Sequence, residues 1–207
     1  MPDIILKIDA AQLEDITETL KGVAGGVGKA QSAAINRTMT HVRAVAAREI
    51  KKRINLPVAR IKESIDLRKK ATSTNPVGVV RFSHKPVPLI DYGAKDNRPH
   101  GVSVTQMLDK GRQTFQHYFM ATMPNGHKGV FRRMDNAKPR KVKGKWTSLP
   151  IREVFGASVE GTFAKAPGVL ATVMNDAGPF LAAQLSSQVN RLLHRTKVEE
   201  AGAPNDE

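Results

Sequence analysis

The sequence predicts an α+β protein: a mostly antiparallel sheet with N-terminal helices and a C-terminal helix packed on one face. Three observations carry that prediction. Between Ala10 and Lys70, apolar residues recur at intervals of three and four, the period of a helix with one buried stripe. From Val77 the period changes to two, as in strands. Beyond Asp176 the helical period returns.

In chain order, Ile4 to Ile8 is a short apolar run that suits an edge strand. Asp9 caps a helix over Ala10 to Lys21 whose apolar side is Leu13, Ile16 and Leu20. Gly22 to Lys29 then breaks the pattern and reads as a hinge between helices. It imitates a phosphate-binding loop poorly: Val23 stands at the first required glycine, Ala30 replaces the hydroxyl, and a helix precedes it. Ser32 to Ile54 is the longest helix, with Ile35, Met39, Val42 and Ala46 as its stripe and Ile50 and Ile54 prolonging it. Pro57 starts a second helix through Val58, Ile61 and Ile65 to Lys69 and Lys70, whose charges complement its C-terminal dipole. Strands follow at Val77 to Phe82, Val87 to Asp91 and Gly101 to Thr105, and Ala94 to His100 is a polar loop. Asp176 caps the closing helix, with Pro179 in its first turn and Leu181, Leu185, Val189 and Leu192 as its stripe. Residues 1–198 read as one domain and 199–207 as a disordered acidic tail.

At the centre lies a β-hairpin over Gln113 to Arg133. Two runs rich in aromatic and β-branched residues flank Met123-Pro124-Asn125-Gly126. Pro124 presets φ for a type I turn, Asn125 tolerates the next position, and Gly126 supplies the left-handed residue that closes a bulged hairpin. This loop places Phe119 opposite Phe131, Ala121 opposite Gly129 and Met123 opposite His127. Phe115, Phe119 and Phe131 then share one face with His117, while Tyr118, Met120 and Val130 share the other with Lys128 and Arg132. Both faces are apolar enough to be covered, the second by another protein chain.

The net charge is +14 and is concentrated. Arg43 to Lys70 holds ten Lys or Arg against three acids, and Lys128 to Lys145 holds eight against one. These two stretches carry the whole excess and point to a polyanion or an acidic protein surface. The basic residues assigned to such a partner are Lys51, Lys52, Arg53, Lys69 and Lys70, then Lys138, Arg140, Lys141, Lys143 and Lys145. The hairpin contributes Pro124, Asn125, Gly126, His127, Tyr118 and Phe131 as turn and interface residues. Cysteine is absent, which excludes disulfides, thiolate metal sites and cysteine nucleophiles, and fits a reducing compartment. No apolar run approaches the roughly 20 residues that span a bilayer, and the N-terminus carries an acid where an export signal is basic.

No catalytic, cofactor or metal site emerges. The six histidines lack helical ligand spacing and there is no HExxH. His117, His127 and Asp135 come nearest to a metal set, but the hairpin register separates the two histidines along the strands. Asp91 and Asp109 fall in different loops, and Ser83-His84 and Ser186-Ser187 lack a nucleophile-elbow context. A helix-turn-helix drawn across Val45 to Lys70 lacks the usual glycine.

Four segments, in order, resemble the minor tail protein Z family of tailed phages and prophages, the tail completion proteins of lambda-like siphophages. They are Ala34-Ile35-Asn36-Arg37-Thr38, Ala46-Ala47-Arg48-Glu49-Ile50, Gly126-His127-Lys128-Gly129-Val130-Phe131-Arg132-Arg133, and Leu149-Pro150-Ile151-Arg152-Glu153-Val154-Phe155-Gly156-Ala157-Ser158-Val159. Ala157 stands where relatives often carry proline. The resemblance implies a non-catalytic virion protein that completes the head-proximal end of the tail and joins tail to head. It implies partners among neck and tail proteins (tail terminator or tail tube, head-completion proteins), a ring of copies, most simply a hexamer, and basic segments that face packaged DNA or acidic neighbours. The alternative from the residues alone is a soluble basic DNA-binding or DNA-processing protein.

Overall fold

The computed structural model describes residues 3–23, 25–134, 141–142, 144–146, 150–166 and 168–201, with the backbone alone described at 10, 11, 142, 145, 146 and 199–201. The first elements are β1 (Asp3–Leu6), α1 (Ala10–Thr19), α2 (Gly26–Lys51), α3 (Val58–Glu63), β2 (Ile65–Lys69) and β3 (Gly78–Phe82). Then come β4 (Pro86–Pro88), β5 (Lys95–Asp96), β6 (Val102–Val104), β7 (Gln113–Phe115), β8 (Tyr118–Thr122) and β9 (Lys128–Arg133). The chain closes with β10 (Lys141–Val142), β11 (Lys145–Trp146), β12 (Ile151–Glu153), β13 (Phe155–Ser158), α4 (Val159–Lys165) and α5 (Val169–Ala201). The class is α+β, and among the described residues the strand pairs are antiparallel. Among the described residues the strands form five small sheets. The chain falls into two compact units, Met1–Ala47 with Ile65–Phe82 and Pro167–Glu207, and Arg48–Ser64 with Ser83–Ala166.

In the first unit, β3 is the middle strand between β1 and β2. Arg81 on β3 donates to both carboxylate oxygens of Asp3 and so ties the edge strand β1 to it. Asp9 caps α1, accepting from the Gln12 amide at 2.9 Å. The predicted stripe of α2 is buried from Ile35 through Ala46. Asn36 leaves that stripe to hold the β2–β3 connection: its side chain donates to the Ala71 carbonyl and accepts from the Ala71 amide, both at 2.9 Å. That pair is the geometry of a β-ladder rung built by an amide side chain.

Four expectations are corrected here. Leu13 is 39% exposed, so the buried side of α1 is Ile16 and Leu20. Helix α2 starts at Gly26, inside the stretch read as a hinge, because Ala30 and Ala34 extend its buried stripe toward the N-terminus. The helix begun at Pro57 stops after Glu63, and Ile65 to Lys69 is the strand β2. An interval of four between Ile61 and Ile65 suits either element, and pairing Ile65 with Phe82 and Leu67 with Val80 decides for the strand. Lys69 therefore ends a strand and compensates no helix dipole. Finally, α5 begins at Val169 and carries Asp176 and Pro179 inside it. Pro179 removes a donor to the Asn175 carbonyl, a cost of about 3 kcal/mol. Upstream, Val169, Val173 and Ala177 are buried at intervals of four. Each valine contributes about 1.5–3 kcal/mol, enough to carry the helix through the proline.

In the second unit the hairpin of β8 and β9 has the expected register, Phe119 with Phe131 and Ala121 with Gly129. Phe115 is a correction: it belongs to β7, which pairs with β6, and its ring stacks on Tyr118 at 4.9 Å. A turn at Gln116 and His117 separates the two strands. The Val87 to Asp91 strand is also shorter than expected, because Pro88, at φ −52°, opens a 3-10 turn over Leu89–Tyr92. The polar loop at Ala94 to His100 contains β5. Helix α4, not predicted from the sequence, has a local start signal: Ser158 caps it, accepting from the Gly161 amide at 3.0 Å, and Val159, Thr162 and Phe163 form its buried side.

Asn36→Ala removes both bonds to Ala71 and strands the amide and carbonyl of a buried residue. Urea unfolding of this variant should show a loss of about 1–3 kcal/mol; an unchanged midpoint would mean water serves Ala71 equally well.

Candidate assembly surfaces

The hairpin tip is set by backbone chemistry. The Gly126 amide donates to the Met123 carbonyl at 2.8 Å, and the Met123 amide donates to the His127 carbonyl at 2.7 Å. Gly126 has φ +83°, and the Asn125 side chain accepts from the His127 amide. This is the bulged turn that Pro124, Asn125 and Gly126 predict. Pro124, Asn125, Gly126 and His127 are all exposed at the tip, and Tyr118 is half-buried. Phe131 is only 5% exposed and lies in the core of the unit, 6.3 Å from the Phe119 ring, so it supports the surface and does not form it.

The two most distinctive segments of the sequence meet here. Strand β12 pairs with β9, with Glu153 opposite Phe131. His127 Nε2 lies 2.9 Å from Glu153 Oε1, and its ring stands edge-on to Phe131 at 6.4 Å. Gly129 makes room for this: a Cβ there would fall 2.8 Å from Glu153 Oε1 and 3.1 Å from the Phe131 ring. His127 is therefore a hydrogen-bond partner of Glu153 beside the turn. Among the described residues no group of three His, Asp or Glu side chains is placed to hold a metal, and Asp135 lies outside them.

A second joint lies just downstream. A Cβ on Gly156 would fall 2.6 Å from the Tyr92 ring, and the Tyr92 hydroxyl donates to the Ala157 carbonyl at 2.5 Å. Burial, aided by the nearby Asp91 carboxylate, pushes the Tyr92 phenol up to about 12.

The basic residues divide between the units. In the second, Lys51 ends α2, and Lys52 and Arg53 are exposed just beyond it. Lys52 pairs with Glu49 at 2.6 Å. Lys69 and Lys70 are exposed in the first unit. Lys141 is exposed on β10 and the backbone of Lys145 lies on β11, which pairs with β10. Lys138, Arg140 and Lys143 lie outside the described residues. Sequence reading missed Arg98, Lys128 and Arg133 as a set, because residues 35 apart in sequence gave no pattern.

A family model described as prophage minor tail protein Z matches residues 12–195. No curated protein matches the chain. No solved structure matches it.

Two measurements test the geometry. Gly126→Val places a β-branched residue at positive φ and should cost about 1–3 kcal/mol, whereas Gly126→Asn should lose far less. Equal stability of the two variants would overturn the turn assignment. In a Tyr118→Phe chain, the remaining tyrosinate absorbance should appear with a midpoint near 12 and not at the ordinary 10. Because folding raises this pKa, its contribution to stability is complete below pH 10 and is lost as pH rises toward 12.

Proposed function

The chain belongs to the prophage minor tail protein Z family, and from that premise we propose that it completes the head-proximal end of a phage tail and joins it to the head. A structural role in the tail follows from the family match over residues 12–195, the observation that carries this reading. The finer assignment adds a non-catalytic ring of copies, six-fold, located in the virion and seated among tail terminator or tail tube and head-completion proteins.

Packing supports it. The family-like segments are spent on internal joints: Asn36 on Ala71, His127 on Glu153 beside Gly129, and Gly156 under Tyr92. Those residues hold a scaffold, while the hairpin tip and the basic residues beside it stay exposed. Exposed cations of this density hold anionic surfaces by charge, and such contacts weaken with salt. In this reading Lys51, Lys52, Arg53, Lys69, Lys70 and the Lys138 to Lys145 segment face packaged DNA or acidic neighbours.

Replacing Lys138, Arg140, Lys141, Lys143 and Lys145 with Gln should leave the melting temperature nearly unchanged, since exposed charges contribute little to stability. It should lower the yield of joined, infectious particles in a complementation assay. Normal joining by this variant would remove the segment from the interface, and early melting would make it structural. Class averages of the purified protein by electron microscopy, showing six-fold rings or some other symmetry, decide the oligomer.

A further inference from the structure

Strand β8 is the outer strand of the sheet ordered β12, β9, β8. The bond from the Met123 amide to the His127 carbonyl fixes which residues exchange hydrogen bonds across the hairpin. By the alternation of antiparallel pairs, Phe119 and Ala121 bond to β9, and the backbone groups of Tyr118, Met120 and Thr122 point away from it. Among the described residues no backbone hydrogen bond from outside the hairpin reaches those three. Edge strands are normally guarded by a charge, a proline or a bulge. Tyr118-Phe119-Met120-Ala121-Thr122 has no charged residue and no proline, and its register with β9 is unbroken.

The open edge is flanked by two clefts. One, of about 370 Å³, is lined by Arg98, His117, Tyr118, Phe119 and Arg133 among others. The other, of about 290 Å³, is lined by Asp96, Arg98, Met120, Thr122 and Lys128. Arg98 is common to both, so the clefts run end to end along β8. Three cations line the run against one acid, Asp96, which Arg98 already contacts at 2.8 Å. Arg133 is held over the Phe119 ring at 5.8 Å, and Phe115 stacked on Tyr118 stiffens the far end.

We propose that the free edge of β8 is a docking site for an extended, acidic peptide segment of another virion protein, which adds a strand against Tyr118, Met120 and Thr122 while its carboxylates meet Arg98, Lys128 and Arg133. Strand addition supplies affinity through the backbone, and the cations select the partner. A second copy of β8 is a poor occupant, because pairing two such edges sets two rows of cations face to face. Duplex DNA matches the charge but offers no ladder to the outward amides. The inference rests on the tail role for the partner being a virion protein; the docking chemistry is independent of it.

The test uses the full chain, nitrogen-labelled, and a capped peptide alternating Glu and Val. The acidic peptide should slow amide exchange at Tyr118, Met120 and Thr122 and shift Arg98 and Arg133, with affinity falling as salt rises. A peptide alternating Lys and Val should not bind. Met120→Pro removes only an outward donor, a tolerated place for proline on an edge, and should weaken the acidic peptide by at least about tenfold, roughly 1.4 kcal/mol. Arg98→Gln with Arg133→Gln should weaken it comparably and flatten the salt dependence, which decides the matter if the proline variant fails to fold. The proposal is overturned if the acidic peptide leaves those amides unchanged, or if the lysine peptide or a DNA duplex protects them as well. Concentration-dependent protection of the same amides in the chain alone would give the edge to a second copy. Failure of the peptide leaves particle incorporation unaffected, whereas a chain absent from tails would sink the tail reading while peptide binding stood.

Discussion

Much of the second unit depends on the register of β8 against β9. A strand pair has a side-chain period of two, so a slip of one residue would exchange the two faces of the hairpin. Val130 and Phe131 are both buried, which means both faces of β9 are covered at that level. The exchange would therefore mismatch sizes and move Gly129 from beneath Glu153. The tip prevents it, since the Met123–His127 bond and the left-handed Gly126 admit one closure. Once β9 is placed, Glu153 sits opposite Phe131 and β12 is positioned. The Val154 amide then bonds the Val130 carbonyl, and the Val154 carbonyl accepts from Leu89, which brings in the turn that carries Tyr92.

Charge plays a different part. Several acids are committed to named cations: Asp3 to Arg81, Glu49 to Lys52, Asp91 and Glu63 to Arg60, and Asp96 to Arg98. Hydrogen bonds that the Arg60 guanidinium donates to Glu63 and then Asp91 hold it more firmly protonated than usual. These pairs are partly exposed, and such pairs contribute at most about 1 kcal/mol each. Folding thus has little use for a net charge of +14, and self-repulsion among the cations opposes it. The proposed anionic contacts would give this excess a use.

The hairpin, the cap at Asp9 and the stripe of α2 were legible because each rests on local chemistry: turn residues, one capping carboxylate, one uninterrupted period. The failures occur where a tertiary pairing overrode a local signal. Ile61 and Ile65 share a helical interval, yet β3 takes Ile65 into a strand. Asp176 and Pro179 have the look of a helix start, yet a buried stripe upstream carries the helix past them, and Asp176 instead meets His41 at 2.5 Å while Phe180 stacks on that ring. Phe115 fits the hairpin alternation, yet two turn residues hand it to another sheet. At the candidate assembly surface the exposed tip was legible for the same local reason. The clefts beside β8 were not, because Arg98 and Arg133 meet only through the packing of two separate sheets.

The small sheets have a consequence for function. A sheet of two or three strands has a large share of its backbone on edges, and each edge carries donors and acceptors that must be paired, solvated or covered. In the second unit Met134, Ile151 and Phe155 are also exposed, around the outer strand β12 opposite to β8. In the proposed tail assembly, neighbouring proteins would supply missing strands and cover these apolar residues. Among the described residues the outward backbone groups of β8 meet no backbone partner, which is where such a strand would add.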